Sequence, residues 1–164
     1  MSSQTAVSIF MGSKSDLPVV QAAADTLAEF DISFNMYILS AHRTPEEVVR
    51  TIKESEQNGV KVFIAAAGMA AHLAGAIAAQ TTKPVLGIPL AGGDLDGKDA
   101  LLATVQMPKG VPVATFAIGK SGAINAAICA AQIIGTSDDE MSKKLDEYKI
   151  KMHADVLEAN KSIQ

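Results

Sequence analysis

His42 and Arg43 stand side by side in the run Ser40-Ala41-His42-Arg43-Thr44-Pro45. An imidazole gives and takes protons near neutral pH, and a guanidinium grips an anion with two parallel donors. The run follows an apolar stretch, Ile32 to Leu39, and precedes a helix signal. In that signal Thr44 reads as the N-cap, Pro45 as the first helical residue and Glu47 as the third. Thr44 and Glu47 are therefore expected to form a capping box, with Pro45 where a missing N–H costs nothing. The pair is thus predicted on a strand-to-helix turn beside a helix N-terminus, a natural seat for a phosphate. His42 is the expected catalytic proton carrier and Arg43 the expected anion binder.

The elements that must hold this turn are legible as apolar runs. Strands are predicted over Ala6 to Met11, Ser33 to Leu39, Val60 to Ala66, Val85 to Ile88 and Val113 to Ile118. Most are continuous rather than alternating, which suits strands covered on both faces. Helical patterns separate them. Val20, Ala23, Ala24 and Leu27 share one face, and Val48, Val49 and Ile52 share another. Ala71 to Gln80 and Ala123 to Ile134 read as buried helices. Alternating strand and helix predicts an α/β fold: a doubly wound parallel sheet with helices on both faces, a flavodoxin-like three-layer sandwich. The segment from about 138 to 160 reads as one long C-terminal helix. Its stripe of Met141, Leu145, Tyr148, Met152 and Val156 covers either its own domain or a neighbouring subunit. No linker or repeat divides the chain, so residues 1–164 read as a single domain.

In open α/β sheets, ligands bind beyond the carboxyl ends of the strands. The first strand runs into Met11-Gly12-Ser13-Lys14-Ser15-Asp16, where glycine permits close approach and two hydroxyls can hold phosphate oxygens. It is neither a P-loop nor a dinucleotide fingerprint. Asp16 is open to a plainer reading as an N-cap. The third strand ends in Ala67-Gly68-Met69-Ala70-Ala71-His72-Leu73, whose small residues admit a planar ligand. His72 reads equally well as a core histidine or a site residue. The fourth ends in Pro89-Leu90-Ala91-Gly92-Gly93-Asp94-Leu95-Asp96-Gly97, a loop suited to a lid. The fifth ends in Ile118-Gly119-Lys120-Ser121-Gly122.

Composition narrows the function classes. The formal net charge of the 164 residues is −4, with no basic block, which argues against nucleic acid. Val62 to Ala79 is apolar apart from His72, yet glycines and many alanines make it a buried strand and helix rather than a membrane span. Met1 to Thr5 is polar, with no secretory pattern. Cys129 is the one cysteine, which excludes a disulfide framework and fits a reducing, cytoplasmic setting. It is expected to be buried. The three histidines, His42, His72 and His153, lack ligand spacing, so no metal site is expected. His153 sits among charges and reads as solvated. What remains suits proton transfer on a phosphorylated small molecule.

Four motifs then coincide with a family. The Gly12-Ser13 turn, the His42-Arg43 turn, Gly68 to Leu73 and Val105-Gln106-Met107-Pro108 occur in the order and spacing of N5-carboxyaminoimidazole ribonucleotide mutases of purine biosynthesis. The resemblance runs from about Val7 to Ile134, and the trailing helix also fits. A second class in this family carboxylates aminoimidazole ribonucleotide directly with CO2. It typically has Lys after the first His and Ser-Asn in the third turn, so Arg43 and Ala70-Ala71-His72 favour the mutase. Met69 stands where glycine is usual and Ala74 where proline is usual, which bears on pocket shape. The resemblance implies loss and recapture of CO2 at the ribonucleotide, with His42 as acid and then base. It implies that Arg43 and Ser13 bind the 5′-phosphate and that Asp16 holds ribose hydroxyls. Gly12, Ser40, Gly68, His72 and Leu73 complete the expected substrate contacts. No cofactor, ATP or metal is implied, and the assembly implied is a homo-octamer. The other readings are the direct carboxylase and a non-catalytic flavodoxin-like module for a nucleotide or FMN, though few aromatics are present to stack a flavin.

Overall fold

The computed structural model describes residues 5–163. The polar start, read above as lacking a secretory pattern, lies outside the described residues save for Thr5. Five parallel strands form one sheet in the order β2-β1-β3-β4-β5. They are β1 (Val7–Met11), β2 (Phe34–Ile38), β3 (Val62–Gly68), β4 (Val85–Leu90) and β5 (Ala114–Thr115). This is the doubly wound order expected from the pattern, and it changes direction between β1 and β3. The helices are α1 (Leu17–Glu29), α2 (Pro45–Gln57), α3 (Leu73–Ala78), α4 (Lys98–Val105), α5 (Lys120–Gly135) and α6 (Asp139–Lys161).

β1 and β4 are buried at every position, as is β3 up to Ala66, because both faces are covered. Val7, Ile9 and Met11 join Ile64 and Ile88 under α1 and α5. Phe10, Phe63 and Ala65 face the other way, against Val48 and Ile52 of α2 and Leu73 and Ile77 of α3. Ser8 shares that second face and would be a buried, lone hydroxyl. It donates instead to the Ser55 hydroxyl of α2 at 3.0 Å. The predicted faces of α1 and α2 are those that pack: Val20, Ala23, Ala24 and Leu27 are buried, as are Val48 and Ile52.

Two elements are shorter than the sequence predicts. β5 keeps only Ala114 and Thr115 of the expected run to Ile118. Beyond Thr115 the chain still follows β4, with Phe116 N–H on Gly87 O and Gly119 N–H on Pro89 O, each at 2.9 Å. Pro89 has no N–H to return on that side, so the ladder cannot continue. Helix α3 begins at Leu73, not Ala71, because the β3 turn consumes the intervening residues.

The first half of the long helix α6 packs on its own domain. Met141 is buried, and Leu145 and Tyr148 pack on the core, with the Tyr148 ring 5.4 Å from that of Phe30. Met152 and Val156, farther along the stripe, are 46% and 69% exposed. Cys129 is half-buried rather than fully enclosed, at the margin of the α1–α5 layer, and that burial raises its thiol pKa. His153 is exposed, as expected. Among the described residues no helix is long and apolar enough to cross a membrane.

Gly122 marks the closest approach of α5 to the chain before it. A Cβ there would stand 1.7 Å from the Ala117 carbonyl oxygen. Gly122→Ala is expected to destabilise the fold by about 2 kcal/mol or more, since backbone rather than a mobile side chain must yield. Urea denaturation checks this. An unchanged midpoint would mean that α5 can shift freely outward.

Candidate active site

The strand register sets the turns beside one another. Met11 pairs with Ile38 on one side and with Ala66 on the other, and Gly68 pairs with Leu90. The segments after these residues therefore leave the sheet along one edge. They enclose a cleft of about 710 Å³. Each predicted site residue lines it: Gly12, Ser13 and Asp16 from the first turn, Ser40, His42 and Arg43 from the second, and Gly68, His72 and Leu73 from the third. Ala67 and Leu90, which the sequence places at strand ends without assigning them a contact, form part of its wall. Of the proposed lid, Ala91, Gly92 and Gly93 reach the cleft. The turn from Ile118 to Gly122 and the run from Gln106 to Gly110 do not line it. Met107 instead lies against Gly75 of α3.

The first turn is stiffened from within. Ser13 caps the short 3₁₀ turn Lys14–Asp16, and its N–H donates to Asp16 Oδ2 at 2.9 Å. This reciprocal arrangement is a capping box, one turn earlier in the chain than the one expected. Asp16 does sit at the N-cap position of α1, but its carboxylate does not cap that helix. Burial raises its carboxyl above the ordinary 3.8, against the pull of its hydrogen bonds to the Ser13, Ser15 and Gly12 positions and of the Arg43 charge.

The second turn is built differently from its prediction. Thr44 is the N-cap of α2 and Pro45 its first residue, but the Thr44 side chain caps nothing in that helix. Its hydroxyl accepts from Ser40 N–H at 2.8 Å and donates to Ser40 O at 3.1 Å. That hydroxyl is spent on closing the turn, so the Thr44–Glu47 capping box does not form. The Ser40 hydroxyl in turn accepts from the N–H groups of His42 and Arg43, each at 3.3 Å. Arg43 then reaches across to the first turn, where Nη2 donates to Gly12 O at 2.6 Å.

The third turn brings a second imidazole to the first. Ala71 N–H donates to Met69 O at 2.9 Å, and His72 N–H to Ala70 O at 2.8 Å. These tight links turn His72 toward the second turn. His42 Nε2 and His72 Nδ1 are 2.8 Å apart, with ring centroids 4.9 Å apart and planes at 80°. One ring must donate and the other accept, so the two imidazoles share one proton. His72 is thus neither a core histidine nor solitary. Among the described residues, no cluster of three or more His, Cys, Asp or Glu side chains forms a metal-binding group.

Residues 6–155 match the family described as AIR carboxylase. The chain belongs to that family. It is 46% identical, over 96% of its length and 97% of the relative's, to the N5-carboxyaminoimidazole ribonucleotide mutase of Bacillus subtilis strain 168. Against the Thermotoga maritima protein of the same name it is 49% identical, over 93% and 88% of the two chains. The crystal structure of Treponema denticola PurE superposes with a TM-score of 0.87, at 28% identity, covering 96% of this chain and 98% of that one. The AIR carboxylase fold therefore spans the same elements that carry the cleft.

Asp16 offers a test that needs no ligand. Because folding raises its pKa, the folded chain binds this proton more tightly than the unfolded chain does. Stability from this group is then greatest below 3.8 and falls as pH rises through the raised value. Asp16→Asn keeps an acceptor for Ser13 N–H and removes the buried charge. Thermal melts should show the variant above wild type at pH 7 and level with it near pH 3. A lower melting temperature at pH 7 would contradict burial as the dominant influence.

Proposed function

We propose that this chain converts N5-carboxyaminoimidazole ribonucleotide to 4-carboxyaminoimidazole ribonucleotide in purine biosynthesis. The observation that carries the reading is the end-to-end likeness to proteins named as that mutase, 46% identical over 96% of the chain. The cleft supports it with chemistry. The carbamate C–N bond breaks, CO2 leaves, and the nitrogen takes a proton from His42. Carbon 4 of the electron-rich ring then attacks the held CO2. His42 takes the proton that carbon 4 still bears, which restores aromaticity and returns His42 to its starting state. Acid and base are one group, so no net proton is consumed.

His72 fits this scheme as the partner that orients the His42 ring through the shared proton. The substrate must either displace His72 from His42 Nε2 or use the other nitrogen. Arg43 has one donor on Gly12 O and others free for a 5′-phosphate, with the Ser13 hydroxyl close by. Asp16 is assigned to the ribose hydroxyls. Gly12, Ser40, Gly68 and Leu73 complete the walls. The scheme requires no cofactor, ATP or metal. The direct carboxylase and the FMN module gain no support, because the curated relatives carry the mutase name.

Assembly belongs to the same proposal. A homo-octamer gives the exposed part of α6, with Ile150, Met152, Val156 and Leu157, a surface to cover. The alanine-rich helix α3 adds little to this, since Leu73, Ala74 and Ile77 are buried in their own chain. The lone thiol fits a cytoplasmic setting.

Mixing the pure protein with each of the two ribonucleotides decides the reaction. The N5-carboxylated compound should yield the 4-carboxylated product without ATP or biotin and in the presence of a chelator. Efficient use of aminoimidazole ribonucleotide with dissolved CO2 alone would assign the chain to the carboxylase class. His42→Asn should keep the fold and most of the binding while kcat falls by ~10²–10⁴-fold. Near-normal turnover in that variant would remove His42 from the mechanism. Arg43→Lys loses the planar fork and should raise KM by about ten- to a hundredfold, from roughly 1.5–3 kcal/mol for one charge-assisted bond. An unaltered KM would detach Arg43 from the phosphate.

A further inference from the structure

Three non-glycine residues have a left-handed backbone: Asp31, Asp96 and Met69, with φ of 56°, 48° and 55°. Aspartate tolerates that region through its short polar side chain, whereas methionine has no such compensation. Met69 is moreover 60% exposed, a long apolar side chain left at the rim of the cleft. Such strain at a pocket edge points to a role for the side chain that the fold alone does not require.

The side chain lies beside the loop after β4. Gly93, on the loop after β4, has φ 64°, and the site of a Cβ there lies 3.5 Å from Met69 Cγ, 3.7 Å from Cε and 3.9 Å from Sδ. The thioether is therefore laid along the bare face of Gly93. Gly92 beside it would meet nothing within 4 Å, so the loop has open space on that side. Met69 thus joins the β3 turn, which carries His72, to the loop that roofs the cleft. An unbranched thioether adapts to a moving surface better than a branched side chain does.

We infer that Met69 is a retention residue, an apolar wedge that seals the gap between the β3 turn and the Gly93 loop and holds CO2 over the imidazole ring. This deepens the mutase reading and rests on it. Between the breaking of the C–N bond and the making of the C–C bond, CO2 is bound to nothing. Its escape leaves aminoimidazole ribonucleotide and, in water, bicarbonate. An uncharged small molecule is retained by a closed apolar wall rather than by a hydrogen bond, and Met69 and Gly93 close that wall where the loop could otherwise lift.

The test follows the carboxyl carbon rather than the rate. Substrate labelled at the carboxylate is turned over in excess unlabelled bicarbonate, and spontaneous decarboxylation is subtracted from a protein-free control. Wild type should pass most label into the 4-carboxylated product. Met69→Gly should raise the ratio of lost to retained label by about four- to sixteenfold, the partition worth of one or two apolar groups. Met69→Leu should hold label like wild type, although its stability suffers from the same backbone. Glycine is at home at this φ, so Met69→Gly should melt no lower than wild type, which separates leakage from misfolding. Equal label retention in Met69→Gly and wild type would overturn the inference, and so would a loss of turnover with no extra leakage. Absence of the 4-carboxylated product with wild type would instead overturn the mutase reading.

Discussion

The register of β1 is the constraint on which the rest depends. Its last residue, Met11, lies opposite Ile38 of one neighbour and Ala66 of the other. Because all strands are parallel, their carboxyl ends share an edge, and turns far apart in sequence meet there. A slip of one residue would exchange Ile9 and Phe10 between the two helix layers and bury the wrong side chains. It would also withdraw the first turn from reach of Arg43. Hydrophobic sorting of the two faces and placement of the chemistry are therefore one decision.

Upon that register, polar contacts in the turns do what the strands cannot. The Ser40 and Thr44 hydroxyls lock the second turn, the Asp16 carboxylate locks the first, and Arg43 ties them together through Gly12 O. The local cost is visible in the carboxyl of Asp16, which is raised by burial despite several favourable partners. A carboxyl kept partly out of water at such a cost is not explained by the core, of which it is not part. The same region holds the unfavourable backbone of Met69. Both features lie in the cleft and not in the core beneath it.

Much of this was legible in the sequence, for a physical reason. Strands covered on both faces need unbroken apolar residues, so β1, β3 and β4 are visible from composition alone. The pairing of strand ends with Ser13, His42 and His72 then follows from parallel topology. Other features were hidden because they depend on atoms rather than patterns. Thr44 has the right type and spacing for a capping box, yet its hydroxyl is claimed by Ser40 across a turn that no spacing rule describes. β5 reads as a full strand, but its ladder stops because Pro89, on its neighbour, lacks a donor. The contact of His42 with His72 spans 30 positions and depends on the tight links at Met69 and Ala70.

The truncated β5 has a consequence of its own. An open sheet edge with free N–H and C=O groups is a template on which a foreign strand can grow. Here that edge has only Ala114 and Thr115 in regular pairing, and the chain then follows β4 through two isolated hydrogen bonds before α5 begins. So short a segment gives an incoming strand little to recognise. The proline in β4 thereby acts beyond its own chain: it keeps this side of the sheet from offering a long template for β-aggregation.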